Sequence, residues 1–210
     1  MKRISWKDGS VISIRLKGGV YCLAQMLKDP YMCFFNCFSN NENWNNVDCN
    51  NLDILFIKPV ARQFIKSGCI SSYLDDSTSA LLDIPSRWIK IFPGARQIIV
   101  WENTSSEISF ITLSDKPGGM LVENRLDHLG RQEQIIISKS VSTDDDFFDK
   151  CELDSISIYP EINERLYLCY KEKNNVDPMK LISFDLPIPI EYENYVKIIS
   201  GKFKIEEVGY

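Results

Sequence analysis

Alternating apolar and polar positions dominate the first third of the chain. A period of two places one set of side chains on a core, so these runs predict β-strands. Glycine and proline separate the runs, and Lys17–Gly19 is predicted as a hairpin turn because glycine adopts positive φ at little cost. The predicted strands are Ser10–Leu16, Val20–Leu27, Tyr31–Phe38 and Leu52–Ile57. Residues 1–70 are therefore expected to form a small SH3-like barrel, built as a curled antiparallel sheet.

The apolar runs beyond residue 70 are short and are bounded by turn-forming residues. Residues 71–86 show little periodicity and are predicted to be a connection. Later runs predict further strands, namely Arg87–Phe92, Gln97–Glu102, Ile108–Leu113, Met120–Glu123 and Gln134–Lys139. The fold class is therefore mainly β (α+β), with residues 71–210 as a second, mostly β part that has one or two helices and either forms its own domain or continues the first.

One segment, Pro160–Lys173, has the pattern of a helix. Proline suits the first helical position, and acidic residues in the first turn and lysines in the last complement the helix dipole. Four apolar residues would share one face: Ile162, Leu166, Cys169 and Tyr170. The alternative is a strand pairing of Leu166–Tyr170 with Leu181–Phe184. Further on, Lys197–Ile205 is expected to form a final hairpin around Gly201.

Composition indicates an ordinary globular protein with a substantial core. The chain has 210 residues, of which 44% are hydrophobic and 25% charged. Its apolar runs are too short to span a bilayer, and the first ten residues do not have the pattern of a secretory signal. Seven cysteines occur without a CxxC pair, and the only histidine is His128. We therefore expect a cytoplasmic protein with reduced, mostly buried cysteines and no metal or other cofactor.

Charge is unevenly distributed along the chain. Residues 1–70 contain nine Lys/Arg and five Asp/Glu, whereas residues 71–210 contain fifteen and twenty-four. Eight acids and one base lie between Asp144 and Glu164. Such a surface repels phosphate backbones, which disfavours nucleic-acid binding, but it attracts basic proteins and accelerates their association.

The usual signatures of catalysis are missing from the sequence. It contains no GxSxG, Walker, HExxH or Rossmann pattern. His128 could act as a general base, but its polar neighbours favour a solvated or structurally bonded side chain. Adjacent carboxylates such as Asp144–Asp146 lack the separate, partly dry environments that acid–base catalysis needs. We therefore predict that the protein is not an enzyme.

Aromatic residues in the first strands have two interpretations. Trp6, Tyr21 and Trp44, together with Tyr31 and the phenylalanines of residues 34–38, could form an exposed cage that binds a peptide or a modified side chain. Core packing is the commoner use of such residues.

The opening segment resembles the immunity protein 26 family of bacterial polymorphic-toxin systems. The resemblance rests on four groups of residues: Gly9, Val11 and Ile14; Gly19, Tyr21, Ala24, Gln25 and Leu27; Phe34, Phe35 and Phe38; and Ile54, Leu55, Phe56, Val60 and Gly68. It implies a cytoplasmic, non-enzymatic inhibitor that binds the toxic C-terminal domain of a cognate toxin, often a nuclease.

The expected function is therefore to occlude a basic toxin domain. Acidic residues between 144 and 154 would face the partner, and two phenylalanines among them would be desolvated anchors, unless they belong to the core beneath a solvated loop. The predicted partner-binding residues are Asp144, Asp145, Asp146, Phe147, Phe148, Asp149, Glu152 and Asp154. The alternatives are a small barrel that binds a peptide or modified residue, and an enzyme that uses His128.

Overall fold

A computed structural model describes residues 5–45, 47–74, 82–127, 129 and 131–210. The fold is mixed α+β with mostly antiparallel sheets, as predicted. The strands are β1 Val11–Arg15, β2 Tyr21–Met26, β3 Tyr31–Ser39, β4 Ile54–Pro59, β5 Ile70–Tyr73, β6 Arg87–Ile91, β7 Arg96–Val100, β8 Ile108–Thr112, β9 Gly119–Leu126 and β10 Gln132–Ser138. The helices are α1 Arg62–Lys66, α2 Asp146–Lys150, α3 Glu161–Glu172, α4 Pro178–Ser183 and α5 Glu193–Ser200.

The first compact unit comprises residues 1–84, 156–176 and 205–210. Its five-stranded sheet has the order β4-β3-β2-β1-β5, and all of its pairings are antiparallel. The predicted turn between β1 and β2 is a 3-10 turn in which Gly18 has φ 67°. Among the described strands, β4 and β5 are the sheet edges and do not pair with each other, so the sheet is open.

Both faces of this sheet are covered by apolar side chains. Alternate residues enter two separate core clusters, so that Ile12 and Phe34 belong to one cluster and Val11 and Phe35 to the other. Helix α3 packs on the first cluster through Ile162, Leu166 and Cys169, which confirms the predicted helix and its buried face. Half-buried Tyr170 packs against the same cluster.

The second compact unit comprises residues 85–155 and 177–204. It contains a three-stranded sheet of order β10-β9-β6 and the separate hairpin β7-β8. Beneath the three-stranded sheet lies a core formed by Ile89, Leu121, Val141, Cys151, Leu153 and Phe184. The hairpin buries Ile98, Val100, Ile108 and Phe110, and helix α5 packs against β8.

This division is discontinuous, whereas the sequence analysis placed a single boundary at residue 70. Two later segments join the first unit. In residues 156–176, α3 fills the core and Ser157 bridges to Val60 beside β4, and in residues 205–210 the Tyr210 hydroxyl donates to Glu164 of α3. A boundary predicted from local composition cannot show that later segments of the chain pack back onto the first unit.

Three predictions are wrong. Beyond residue 71 the described chain has four α-helices, α2 to α5, where the sequence predicted one or two. The expected hairpin at Lys197–Ile205 is instead the end of α5, where Gly201 adopts φ 63° and ends the helix. The expected connection from residue 71 onwards begins with β5, which pairs with β1. Residues 75–81 of that connection lie outside the described residues.

None of the helices in the described parts of the chain is long and apolar enough to cross a membrane.

Candidate partner-binding site

The acidic segment folds into a short helical turn with its own local contacts. Asp145 precedes α2, and its Oδ2 accepts a hydrogen bond from the backbone N–H of Ser142 at 2.8 Å. Its carbonyl accepts the N–H of Phe148, also at 2.8 Å. Carboxylates at the start of a helix and a lysine at its end complement the helix dipole. The acidic sequence that we expected on the surface therefore also favours this turn.

Four carboxylates of this turn are exposed: Asp144, Asp145, Asp146 and Asp149. Lys150 pairs with Asp146 at 2.8 Å, and its hydrogen bond and positive charge hold the pKa of Asp146 below its ordinary value. Exposed carboxylates are ionised at neutral pH. Residues 144–149 therefore present concentrated negative charge, and we refer to them as the acidic turn.

The two phenylalanines of the acidic turn have different environments. Phe148 packs against the core beneath, with its ring 4.9 Å from that of Phe184 in an edge-on arrangement. Phe147 is 37% exposed, and the guanidinium of Arg87 lies 5.9 Å from its ring centre. The sequence left open whether this pair was core or surface. The structure divides it, with Phe148 as the anchor of the turn and Phe147 available at the surface.

A buried lysine holds the acidic turn from below. Lys180 of α4 is 7% exposed, and its Nζ donates to the carbonyls of Phe148 at 2.8 Å and Cys151 at 2.9 Å. The same ammonium lies 5.3 Å from the Phe148 ring centre. A cation at carbonyls near the end of a helix stabilises that end. Sequence reasoning missed Lys180, because no local pattern distinguishes it from surface lysines.

The last two predicted residues have a different environment. Glu152 and Asp154 are half-buried in an extended segment beside β6, where their backbone groups bond to Ile89 at 2.9 and 2.7 Å. The Asp154 carboxylate accepts a hydrogen bond from Gln134 of β10 at 2.8 Å. Both residues therefore extend the sheet, while the exposed negative charge is concentrated in the acidic turn.

Of the three residues proposed for an exposed cage, Trp6 and Trp44 pack against different core clusters, and half-buried Tyr21 belongs to neither cluster. Trp6 packs against one core cluster and donates to the Leu27 carbonyl at 2.9 Å. Trp44 packs against the other cluster and donates to Ser13 Oγ at 3.0 Å. Phe34 and Phe35 are buried in opposite clusters. Their positions favour the packing interpretation for this group.

A polar cluster in the first unit was not anticipated from the sequence. Glu164 of α3 is 1% exposed, and Lys17 approaches its Oε2 at 2.6 Å while the Tyr210 hydroxyl donates to the same oxygen at 2.8 Å. Burial, and next the charge of Glu164, raise the pKa of Tyr210 well above its ordinary value. The groups satisfy one another, so the arrangement connects α3 to the first turn and to the end of the chain.

Two further candidates concern His128 and metal binding. His128 lies outside the described residues. Within the described ranges, no group of three or more His, Cys, Asp or Glu side chains is placed to hold a metal ion. Six of the seven cysteines are buried free thiols, and Cys37 is half-buried. Burial raises the pKa of Cys33 to about 12, which keeps that thiol protonated and unreactive.

Fold and site together define a mixed α+β protein with an exposed acidic turn that Lys180 and Phe148 hold from below. The chain belongs to the family described as Domain of unknown function (DUF8309), whose model matches residues 1–187. No curated protein and no solved structure matches the chain.

Proposed function

We propose that this protein binds and neutralises a basic partner protein, and that the partner is the toxic C-terminal domain of a bacterial toxin. The partner's identity follows from the resemblance to the immunity protein 26 family. The observation that carries the binding role is the acidic turn, in which exposed carboxylates flank the exposed Phe147 in sequence while Lys180 and Phe148 hold the backbone beneath.

This arrangement suits a partner whose function requires positive charge. A nuclease grips phosphates with lysines and arginines, so its active site attracts carboxylates. Charge complementarity of this kind accelerates association, and an aromatic ring at the centre of the contact contributes affinity once it is desolvated. In this proposal the protein acts without catalysis or a cofactor, in the cytoplasm, by covering the toxin's active site.

The direct test is binding of the purified protein to the toxin domain encoded immediately upstream, measured by calorimetry at two salt concentrations. The informative variant is Asp144→Lys with Asp149→Lys, because both carboxylates are exposed. We expect affinity to fall by about tenfold to a thousandfold, and its dependence on salt to weaken.

A matched control reverses two exposed acids elsewhere in the second unit, Glu102→Lys with Glu191→Lys, which changes the net charge equally. If both double variants lose the same affinity, general attraction accounts for binding and the acidic turn is not the contact site. If neither loses affinity, the toxin binds another surface.

We also propose that the sheet of the first unit is SH3-like. Two features support a curled sheet. The strand order places β5 beside β1. The register also shifts at Ser13/Ile14, Cys22/Ala24 and Phe34/Phe35, and such bulges bend strands. An experimental structure in which β4 and β5 lie far apart, on a flat sheet, would contradict this description.

A further inference from the structure

Strand β10 forms an open edge of the three-stranded sheet. It pairs with β9, and no other described strand pairs with it. Two apolar residues near its centre are exposed, Ile136 by 52% and Ile137 by 44%. Only Glu133 is charged between Gln132 and Ser138, and the strand contains no proline or lysine. Protein edges that remain unpaired usually carry such residues to prevent pairing.

The hydrogen-bond pattern shows which backbone groups face outward. Asp127 N–H donates to the Arg131 carbonyl at 2.9 Å, and the register continues with Glu133 opposite Arg125. In an antiparallel pair, alternate residues direct both backbone groups to the neighbouring strand. The odd-numbered residues 131–135 therefore face β9, and Gln132, Gln134 and Ile136 direct their N–H and C=O groups to the open edge.

We infer that the open edge of β10 pairs with β10 of a second copy of this chain, antiparallel and around a two-fold axis. This inference is independent of the proposed function. An added extended strand can satisfy the outward backbone groups in place of water, and a second β10 presents the same three residues with the same alternation of backbone groups. The result would be one continuous six-stranded sheet across two copies.

Charge and strand length select one register for this pairing. With Gln134 opposite Gln134 of the second copy, all of Gln132–Ile136 is paired, Glu133 lies opposite Ile135, and no like charges are directly opposed. Sliding one strand by a single residue would place edge-facing residues opposite residues that face β9, so the hydrogen bonds could not form. The nearest in-phase shifts pair only three residues of that span, and one of them places Glu133 opposite itself, which destabilises a strand pair.

The local charges also argue against a basic strand at this edge. Asp127 is paired with Arg131 at 2.7 Å, and Glu123 is paired with Arg125. These two pairs compensate each other's charge, so Glu133 is the one further charge on the strand, and a single carboxylate gives little attraction for a strongly basic segment. The register shift between Ile136 and Ser138 limits regular pairing to Gln132–Ile136, which is the span that the proposed register uses.

The experiment measures the mass of the full chain by sedimentation equilibrium over a range of concentrations. We expect a reversible dimer, whose dissociation constant rises at least about tenfold in Ile136→Lys because each dimer then buries two lysines at its edge. Ile111→Lys is the matched control, since Ile111 is also an exposed strand isoleucine but lies on β8. Its dimerisation should be unchanged.

A crosslink tests the register. Gln134→Cys should form a disulfide between two copies, because residue 134 lies opposite itself, whereas Gln132→Cys should not, because the two residues 132 would be separated by several residues along the strands. A chain that remains monomeric at every concentration overturns the inference. So does a dimer that Ile136→Lys leaves unaffected, or one in which Gln132→Cys crosslinks as readily as Gln134→Cys.

Discussion

The two compact units use their β-strands differently. In the first unit, β1 to β4 bury nearly every central residue, because the sheet is covered on both faces. In the second, β7 and β8 bury alternate residues and β10 buries none. A strand that is buried along its length has few exposed side chains, whereas a strand that is buried on one face keeps the side chains of its other face exposed. The first unit therefore has more of its strand residues in a core, and β10 of the second unit has more of them at the surface.

The largest expected effect comes from truncating the core of the first unit. Phe34→Ala removes a fully buried ring that contacts Phe56 and Phe64 at centroid distances of 4.9 and 6.5 Å. The cavity should lower the free energy of unfolding by about 3–5 kcal/mol. Phe147→Ala in the acidic turn should cost less than about 1 kcal/mol. Urea denaturation measures both, and similar losses would contradict the contrast between the units.

A buried ion pair provides the next comparison. Glu164→Gln leaves Lys17 without its carboxylate in a site that is almost inaccessible to water, and we expect a loss of about 3 kcal/mol. The control is Asp146→Asn, which breaks an exposed pair with Lys150 in the second unit. Its unfolding midpoint should not change. If the two variants behaved alike, burial would not decide the strength of these pairs.

The lysine beneath the acidic turn tests whether that turn depends on its support. Lys180→Met keeps the length of the side chain but removes the donor to the Phe148 and Cys151 carbonyls, and should destabilise the turn by about 2 kcal/mol. Hydrogen exchange should become faster at residues 145–151. Lys150→Met, on the exposed side of the same turn, is the control. Unchanged exchange in Lys180→Met would show that the turn holds without this lysine.

The smallest expected effect is a dependence of stability on high pH. The pKa of Tyr210 is raised in the folded chain, so the folded state holds this proton more tightly than the unfolded state. The corresponding stability is complete below the unfolded pKa of about 10 and declines as the pH rises above it. Tyr210→Phe should therefore lose less stability than the parent chain above about pH 10. Thermal unfolding at several pH values measures this difference, and parallel curves would contradict it.

Local pattern predicted a large part of the secondary structure. Apolar alternation located β1 to β4 and β6 to β10, and the amphipathic spacing located α3 with its buried face. The sequence predicted a hairpin at the end of α5 because a glycine such as Gly201 can either end a helix or form a hairpin turn. β5 was missed because its four residues show no alternation and are fixed by pairing with β1.

For the candidate site, the sequence predicted the acidic charge but not its arrangement. Adjacent residues Phe147 and Phe148 are chemically identical, so no local rule decides which ring enters the core. The ring of Phe148 packs against Phe184, and its carbonyl accepts a hydrogen bond from Lys180; both residues are more than thirty residues away along the chain. The SH3-like description and the toxin-binding role remain predictions.

By itself, the sequence determined which segments become strands and helix α3, where the acidic charge lies, and that most cysteines are buried. These properties follow from short-range periodicity and composition, which act within a few residues. Only the tertiary structure decided that distant segments complete each unit, that Lys180 supports the acidic turn, and that no described strand pairs with the outer edge of β10. Such outcomes depend on pairings between residues far apart in sequence, and local chemistry permits several of them.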